Sequence, residues 1–402
     1  MSTQEKILQK LKPYLLKGDS NAFHYERFLC FDKAAYLDAF VTDTPFFPFE
    51  VEIQTSSKCN LNCIWCVGEQ IQTKNRVQNL PNVLNKSNID KVVDGILETK
   101  KSPLPIDTVK FSGFIGDPLV QKDATLIAMK RLSSEGIRVG LFTNGVLLTE
   151  ETWDIVSKSD YVHISLDAGP KSFYTLKENR PNSTYSQKSF FSIIDNIKGL
   201  DKHRKETGGK VKINIGYVIV EGNHEEIYEA ANIVKDAGAD MIRFKCDITN
   251  TYEKEKNWLN AVFSNIEKAK KDFHTPPSFS VHAIHSKEEM QKSKHTDWNC
   301  EKGCYFQYFM TTIGSDANMY LCDHNTMPGA IALGNTINTS FTEIWHSPRH
   351  KYLGSGVQYT CQSSVCPPFG NRINAFLRDI VELKKKYGNA AVLEALNTLR
   401  KE

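Results

Sequence analysis

The sequence lacks any apolar run of the roughly 18 residues that a membrane-spanning helix needs. Its N-terminal segment has no continuous apolar stretch followed by small residues, as a signal peptide would have. It also lacks an excess of charge of one sign, because 50 basic and 47 acidic residues leave a net charge of +3. This balance argues against a nucleic-acid partner and against an anionic membrane surface. We therefore expect a cytoplasmic protein that contacts neither.

The length of 402 residues exceeds that of one typical core, so we expect one large domain with smaller additions. Changes in pattern along the chain predict five segments. They are an N-terminal helical leader (1–45), a main α/β domain (46–250), a helical linker (251–298), a small irregular cysteine-rich domain (299–370) and a C-terminal helix (371–402).

The main domain alternates short apolar runs with longer amphipathic stretches. The runs predict six strands, at residues 49–55, 108–112, 137–142, 161–166, 211–220 and 241–245. Strands that alternate with helices predict a parallel sheet with its functional residues at the carboxyl ends of the strands. Six units are fewer than the eight of a closed barrel, so the fold class is α/β with a partial (β/α)6 barrel.

The sequence has ten cysteines, which is many for a protein that we expect in the reducing cytosol. Clustered cysteines in that compartment usually bind metal or act in catalysis. The first group is Cys59, Cys63 and Cys66, spaced C-x3-C-x2-C directly after the first predicted strand. A structural zinc ion takes four ligands, whereas three thiolates can hold three irons of a [4Fe-4S] cluster and leave one iron open. A zinc site completed by a distant Cys or His is the alternative.

This motif, with Trp65 before its last cysteine, resembles that of the radical S-adenosylmethionine (SAM) superfamily. Three further strand ends support the resemblance: Gly113 to Leu119 is similar to the family's G-G-E-P segment, and Thr-Asn-Gly and Ser-Leu-Asp end the third and fourth strands. The match departs from the family in having Asp117 for Glu and an additional residue between the glycines. The resemblance implies that SAM contacts this edge through Gly113, Gly116, Asp117, Thr143, Asn144, Ser165 and Asp167.

The family resemblance implies a reaction as well as a cofactor. The open iron binds SAM, reductive cleavage yields a 5′-deoxyadenosyl radical, and the radical abstracts a hydrogen atom from the substrate. It also implies a reductase, flavodoxin or ferredoxin as the electron donor. The protein's part is to position cofactor and substrate and to exclude competing reactions.

The second group comprises Cys304, Cys322, Cys361 and Cys366, with a possible hairpin over 309–322 and a Gly-Asn…Ile-Trp stretch between the pairs. It resembles the SPASM or shorter twitch extension, which implies an auxiliary [4Fe-4S] cluster. The last pair is spaced C-x4-C where the family has C-x2-C, and Cys300 is a rival or additional ligand. A structural zinc site with four cysteines is the alternative.

An auxiliary cluster can accept the electron left after hydrogen abstraction, and a base then takes the hydroxyl proton. Lys177 and Arg180 are our candidates for this catalytic role, followed by Asp167, Lys245, Asp247 and His324. We expect an oxidoreductase that dehydrogenates or epimerises a sugar, an aminocyclitol or a similar small molecule. The alternatives are a maturase that modifies a ribosomal peptide and a zinc-binding structural protein.

Overall fold

A sheet of ten strands runs through the chain, for which a computed structural model describes residues 1–15, 24–66, 81–113, 116–178, 188–246, 258–284, 304–323, 326, 330–355 and 368–401. The strands are β1 (Glu50–Ile53), β2 (Thr108–Phe111), β3 (Arg138–Thr143), β4 (Tyr161–Ser165), β5 (Lys212–Ile219), β6 (Met241–Cys246), β7 (Ser280–Ala283), β8 (Met310–Ile313), β9 (Asn318–Tyr320) and β10 (Gly334–Asn335).

Helices connect and cover these strands. They are α1 (Thr3–Leu15), α2 (Tyr25–Phe31), α3 (Ala34–Thr42), α4 (Ile89–Glu98), α5 (Lys122–Ser134), α6 (Glu150–Val156), α7 (Lys188–Thr207), α8 (Ile227–Asp236), α9 (Leu259–Phe273), α10 (Phe341–Trp345), α11 (Pro348–Ser355), α12 (Pro368–Tyr387) and α13 (Asn389–Lys401). No helix within the described ranges is long and apolar enough to cross a membrane.

The strand order is β10-β9-β8-β1-β2-β3-β4-β5-β6-β7, and every pair from β8 to β7 is parallel. The six strands predicted from the sequence are β1 to β6, in sequential order. Because helical crossovers place consecutive strands side by side, their carboxyl ends meet at one edge of the sheet. The predicted α/β class and partial barrel are confirmed.

The structure differs from the sequence prediction in the expected linker over 251–298. Helix α9 packs against α8, and β7 then pairs in parallel with β6, so this segment adds a seventh unit to the barrel. Strand β7 has only four residues, Ser-Val-His-Ala, of which one is fully buried. So short and polar a run gives no strand signal, because its one apolar position cannot establish a period.

The predicted hairpin over 309–322 is present as β8 and β9, which pair antiparallel. Strand β8 also pairs in parallel with β1, with Val51 opposite Thr311, so the cysteine-rich segment extends the barrel sheet. Cys304 and Cys322, which precede and follow this hairpin, are therefore connected through β8 to the strand that precedes the first group.

Alternate residues of the strands face opposite sides of the sheet. One side packs against the helices and buries a large apolar core that includes Val51, Val109, Ile164, Ile215 and Ile242. The other side, which we call the lumen face, carries Glu52, Lys110, Tyr161, His163 and Arg243. Charged side chains inside a barrel are costly unless they are paired or bind a ligand.

A second apolar core joins the two ends of the chain. Ile7 and Leu11 of α1 pack with Phe376 of α12 and Val392 of α13, and all four are fully buried. The expected leader and C-terminal helix thus form one helical module, and the predicted single helix over 371–402 is two. Helix α12 ends before Gly388, whose positive φ of 84° suits the left-handed position that closes a helix.

Candidate active site

The loop that carries Cys59, Cys63 and Cys66 follows β1 at the carboxyl edge of the sheet. Its backbone pairs with the π-helical turn Tyr174–Glu178, which follows β4. Asn62 donates its N–H to the Lys177 carbonyl at 2.8 Å, and Ile64 donates to the Leu176 carbonyl at 3.0 Å. The loop is therefore held in place by a segment that is distant in the sequence.

The three thiols lie close enough for each to affect the titration of another. Burial, with the nearby Asp117 charge, raises the pKa of Cys59 to about 11. Burial raises the pKa of Cys63 to about 12, although the Lys177 ammonium opposes the shift. Without metal, Cys59 and Cys63 are therefore neutral thiols, and metal binding must displace their protons to form thiolates.

No three His, Cys, Asp or Glu side chains within the described ranges are grouped closely enough to surround a single metal ion. A [4Fe-4S] cluster does not need that arrangement, because each thiolate binds a different iron. Three thiols on one loop therefore suit a cluster better than they suit one zinc ion, which takes four ligands.

Gly113 and Gly116, predicted to contact SAM, lie where the end of β2 meets the cysteine loop. A Cβ atom on Gly116 would lie 2.2 Å from the Ser56 carbonyl oxygen, so no side chain fits there. Asp117 donates its N–H to the Lys58 carbonyl at 2.9 Å. Gly116 thus packs against the backbone of the cysteine loop. This close contact requires glycine whether or not a ligand binds here.

The Asp117 carboxylate is buried and already engaged within the protein. It accepts hydrogen bonds from the Leu119 N–H at 2.9 Å, the Asn144 N–H at 2.7 Å and the Thr143 hydroxyl at 2.9 Å. Burial raises its pKa, although these donors oppose the shift. Asp117 thus connects the ends of β2 and β3, and the Thr143 hydroxyl donates one of the hydrogen bonds of this connection.

Asn144 reaches from the end of β3 to the cysteine loop. Its Nδ2 donates to the Asn60 Oδ1 at 2.7 Å and lies 3.5 Å from the Cys59 Sγ. An amide donor beside a cluster sulfur influences the reduction potential of the cluster. Its contact with SAM remains a prediction.

Asp167 follows β4 in a left-handed conformation with φ of 53°, which is unusual for a residue other than glycine. Its Oδ1 accepts the Val218 N–H at 2.8 Å, and its Oδ2 lies 3.4 Å from the Lys177 Nζ. Lys177 is fully buried and also donates to the Ser165 carbonyl. Burial alone would lower the pKa of Lys177, but Asp167 and Cys63 outweigh it and raise that pKa.

Sequence reasoning missed Asn223, which fixes this strand end. Asn223 is buried, and its Nδ2 donates to the Asp167 carbonyl and the Val218 carbonyl, both at 2.8 Å. No motif identifies this asparagine, because its partners come from two strands that only the fold brings together. Arg180, Asp247 and His324 lie outside the described residues, so their predicted roles rest on the sequence alone.

The second cysteine group is described in part. Cys304 precedes β8 between the two apolar cores, and Cys322 follows β9. Burial raises the pKa of Cys304, as it does at the first group. Cys300, Cys361 and Cys366 lie outside the described residues.

The lumen face contains a buried ion-pair group that sequence reasoning also missed. Lys110 on β2 lies 2.9 Å from Glu52 and 3.2 Å from Glu50, both on β1. Burial would lower the pKa of Lys110, but Glu52, Glu50 and then Asp323 raise it well above its ordinary value. Because Asp323 directly follows Cys322, Cys322 lies close to the lumen face.

Two family models match the chain at these two cysteine groups. The radical SAM superfamily model matches residues 53–232, and the iron–sulfur cluster-binding SPASM domain matches residues 304–380. The chain carries a radical SAM domain. It is a radical SAM enzyme with a C-terminal SPASM domain, as the two motifs predicted, and its cofactors are SAM and [4Fe-4S] clusters.

Curated relatives resemble the radical SAM part of the chain. A GTP 3′,8-cyclase of Thermodesulfovibrio yellowstonii is 29% identical over 187 residues, which is 45% of this chain and 51% of that protein. A tungsten-containing aldehyde ferredoxin oxidoreductase cofactor-modifying protein of Pyrococcus furiosus is 25% identical over 195 residues, 47% of this chain and 49% of that protein. The chain thus spans about half the length of these relatives.

Solved structures resemble the chain over a greater length. Streptococcus suis SuiB bound to S-adenosylmethionine matches with a TM-score of 0.56 at 17% identity, over 92% of this chain and 81% of SuiB. The enzyme anSMEcpe with bound AdoMet matches with a TM-score of 0.52 at 15% identity, over 88% of this chain and all of that one. At such identities the likeness concerns the fold.

Proposed function

We propose that Cys59, Cys63 and Cys66 hold the cluster that binds SAM, and that Cys304, Cys322, Cys361 and Cys366 hold an auxiliary [4Fe-4S] cluster. Together SAM and the first cluster supply a 5′-deoxyadenosyl radical that abstracts a substrate hydrogen. The donor sets support this assignment, since each group offers thiols and the first offers three within one loop.

We propose that the substrate is a small polar molecule that binds at the lumen face between the two cysteine groups and is oxidised there. The observation that carries this proposal is the position of the lumen face. The charge of Cys63 raises the pKa of Lys177 at the carboxyl edge of the sheet. The charge of Asp323, next to Cys322, raises the pKa of Lys110 within the lumen face. Buried charges such as the Lys110 and Glu52 pair suit a polar ligand and not an apolar one.

Lys177 does not suit the role of a general base that we predicted for it. A base must receive a proton, but Lys177 is fully buried, donates to the Ser165 carbonyl and is held protonated by Asp167. We propose instead that its charge positions Asp167 and offsets the thiolates of the neighbouring loop. Electrons would come from a flavodoxin, a ferredoxin or a reductase.

Peptide modification is the second candidate function. SuiB has also been solved with its precursor peptide SuiA, and that structure matches 88% of this chain with a TM-score of 0.53. The likeness extends through the SPASM domain, and a peptide could enter the same lumen.

The assignment of the two groups is tested with single variants reconstituted without oxygen and reduced with dithionite. Cys63→Ala is expected to abolish formation of 5′-deoxyadenosine. Cys361→Ala is expected to retain that uncoupled cleavage and to lose substrate turnover. Cys30→Ala, in the second apolar core, is the matched control and should behave as wild type. Formation of 5′-deoxyadenosine by the Cys63 variant would show that the first assignment is wrong, and normal turnover by the Cys361 variant would exclude a catalytic auxiliary cluster.

A further inference from the structure

Arg243 lies in the middle of β6, opposite Gly216 of β5 and His282 of β7 in the sheet register. Its neighbours Ile242 and Phe244 are fully buried in the large apolar core, so alternation directs Arg243 to the lumen face. It is half-buried there. A guanidinium at this position remains charged, because arginine does not deprotonate in proteins.

Three other largely buried cations within the described ranges have carboxylate partners. Lys110 pairs with Glu52 at 2.9 Å, Lys177 pairs with Asp167 at 3.4 Å, and Arg204 pairs with Asp201 at 2.8 Å. For Arg243, by contrast, no ion pair or side-chain hydrogen bond is formed with any residue in the described ranges. Leaving a partly buried cation without an anion costs stability, and such sites are retained where a ligand supplies the missing charge.

Among the described residues, no carboxylate contributes to the pKa shift of Arg243. Burial lowers its pKa, and the phenols of Tyr25 and Tyr161 are the groups that oppose the shift. Its own charge in turn contributes to lowering the pKa of His163 and of His282, after burial in each case. The Arg243 charge thus disfavours the protonated form of both histidines, and the surroundings favour an incoming anion.

Two glycines shape the space beside Arg243. A Cβ atom on Gly216 would lie 2.5 Å from the His163 Nε2, and one on Gly140 would lie 2.1 Å from the Tyr161 ring. The rings of His163 and Tyr161 therefore lie across strands β5 and β3, close to the backbone. The lumen face near Arg243 thus carries an imidazole and a phenol, both of which can donate hydrogen bonds to an anion.

We propose that Arg243 binds an anionic group of the substrate, a carboxylate or a phosphate, at the lumen face. Guanidinium groups recognise the planar or forked oxygen pairs of both anions through two parallel hydrogen bonds. The inference rests on the proposed function, because it places the substrate at the lumen face, and it narrows the substrate class from polar to anionic.

The test uses the holoenzyme with both clusters. Equilibrium dialysis measures its binding of two probes, radiolabelled orthophosphate and radiolabelled acetate. Wild type is expected to bind one of them, and the probe that binds identifies the group. Arg243→Gln should weaken that binding roughly tenfold or more, which corresponds to the loss of a charged hydrogen bond. Lys212→Gln, which removes a charge from an exposed position on β5, should bind as wild type.

Uncoupled SAM cleavage is measured on the same samples, because it reports the proposed function separately from anion binding. Arg243→Gln should retain it, and Arg243→Lys, which keeps the charge, should bind the probe with intermediate affinity. The proposal fails if neither probe binds to wild type, if Arg243→Gln binds as wild type, or if Lys212→Gln loses as much affinity. Absence of 5′-deoxyadenosine from wild type would instead overturn the proposed function.

Discussion

At the scale of one residue, Gly116 shows that a residue of a family motif can support the structure of the site as well as contact a cofactor. The motif suggests a backbone that approaches a cofactor, but the contact in the structure is with Ser56 and Lys58 of the cysteine loop. The carboxylate of the adjacent Asp117 accepts hydrogen bonds from the Leu119 and Asn144 N–H groups. Motif residues here support the loop that carries the ligands, whatever they also contribute to SAM binding.

Gly116→Ala is therefore expected to displace the cysteine loop. The added methyl group would meet the Ser56 carbonyl oxygen at 2.2 Å, and forcing atoms into a packed site typically costs about 1–3 kcal/mol. We expect a lower melting temperature and loss of iron from the first cysteine group, measured by thermal unfolding and iron content.

Gly208→Ala is the control for this variant, since nothing lies within 4 Å of its Cβ position. Its positive φ of 70° adds strain of roughly 1–2 kcal/mol without touching the loop. It should lower the melting temperature while the iron content stays unchanged. A Gly116 variant that keeps its full iron content would show that the loop tolerates the displacement.

At the scale of elements, the helices at the two ends of the chain depend on each other. Helix α1 packs against both α12 and α13, and α12 also packs against α2. The second core that they form includes Phe306 and Phe309, which lie just before β8. Ordering of the terminal helices therefore supports the segment between Cys304 and the sheet.

Leu11→Ala tests this dependence. Leu11 is fully buried in the second core, and truncating such a leucine costs about 2–5 kcal/mol through the cavity that it leaves. We expect a marked fall in the free energy of unfolding, measured by denaturant titration. Leu8→Ala, on the same helix but only partly buried, should cost clearly less. A Leu11 variant no less stable than wild type would mean that the core does not depend on α1, and equal losses in the two variants would mean that the burial of Leu11 does not set the cost.

At the scale of the whole molecule, one sheet joins the two cysteine groups. The first group follows β1, and β8, which leads toward the second, pairs directly with β1. Lys110 and Glu52 lie between them on the lumen face.

Iron content tests whether both groups hold clusters in the folded chain. Wild type reconstituted without oxygen should contain about eight irons per chain, because each [4Fe-4S] cluster holds four. Cys63→Ala and Cys322→Ala should each retain about four irons, and the double variant almost none. Cys30→Ala should match wild type. Stoichiometric zinc in place of iron would contradict the assignment of either group.

The sequence by itself determined the six central strands, the family and the two cysteine groups. Those features are local: an apolar run specifies a strand, and C-x3-C-x2-C places three thiols on one loop whatever surrounds it. The predicted hairpin over 309–322 is of the same kind, since its strands are neighbours in the sequence. Local pattern and chain proximity suffice in each case.

Only the tertiary structure decided which residues meet across the sheet. The seventh strand β7 was missed because four residues with one buried position carry no period. Asn223, the Lys110 and Glu52 pair and Arg243, which forms no ion pair with a described residue, were missed because their roles depend on residues of other strands. From sequence alone, a charged residue in a strand is predicted to be exposed to solvent. The fold shows whether it is buried, and a buried charge requires a partner or a ligand.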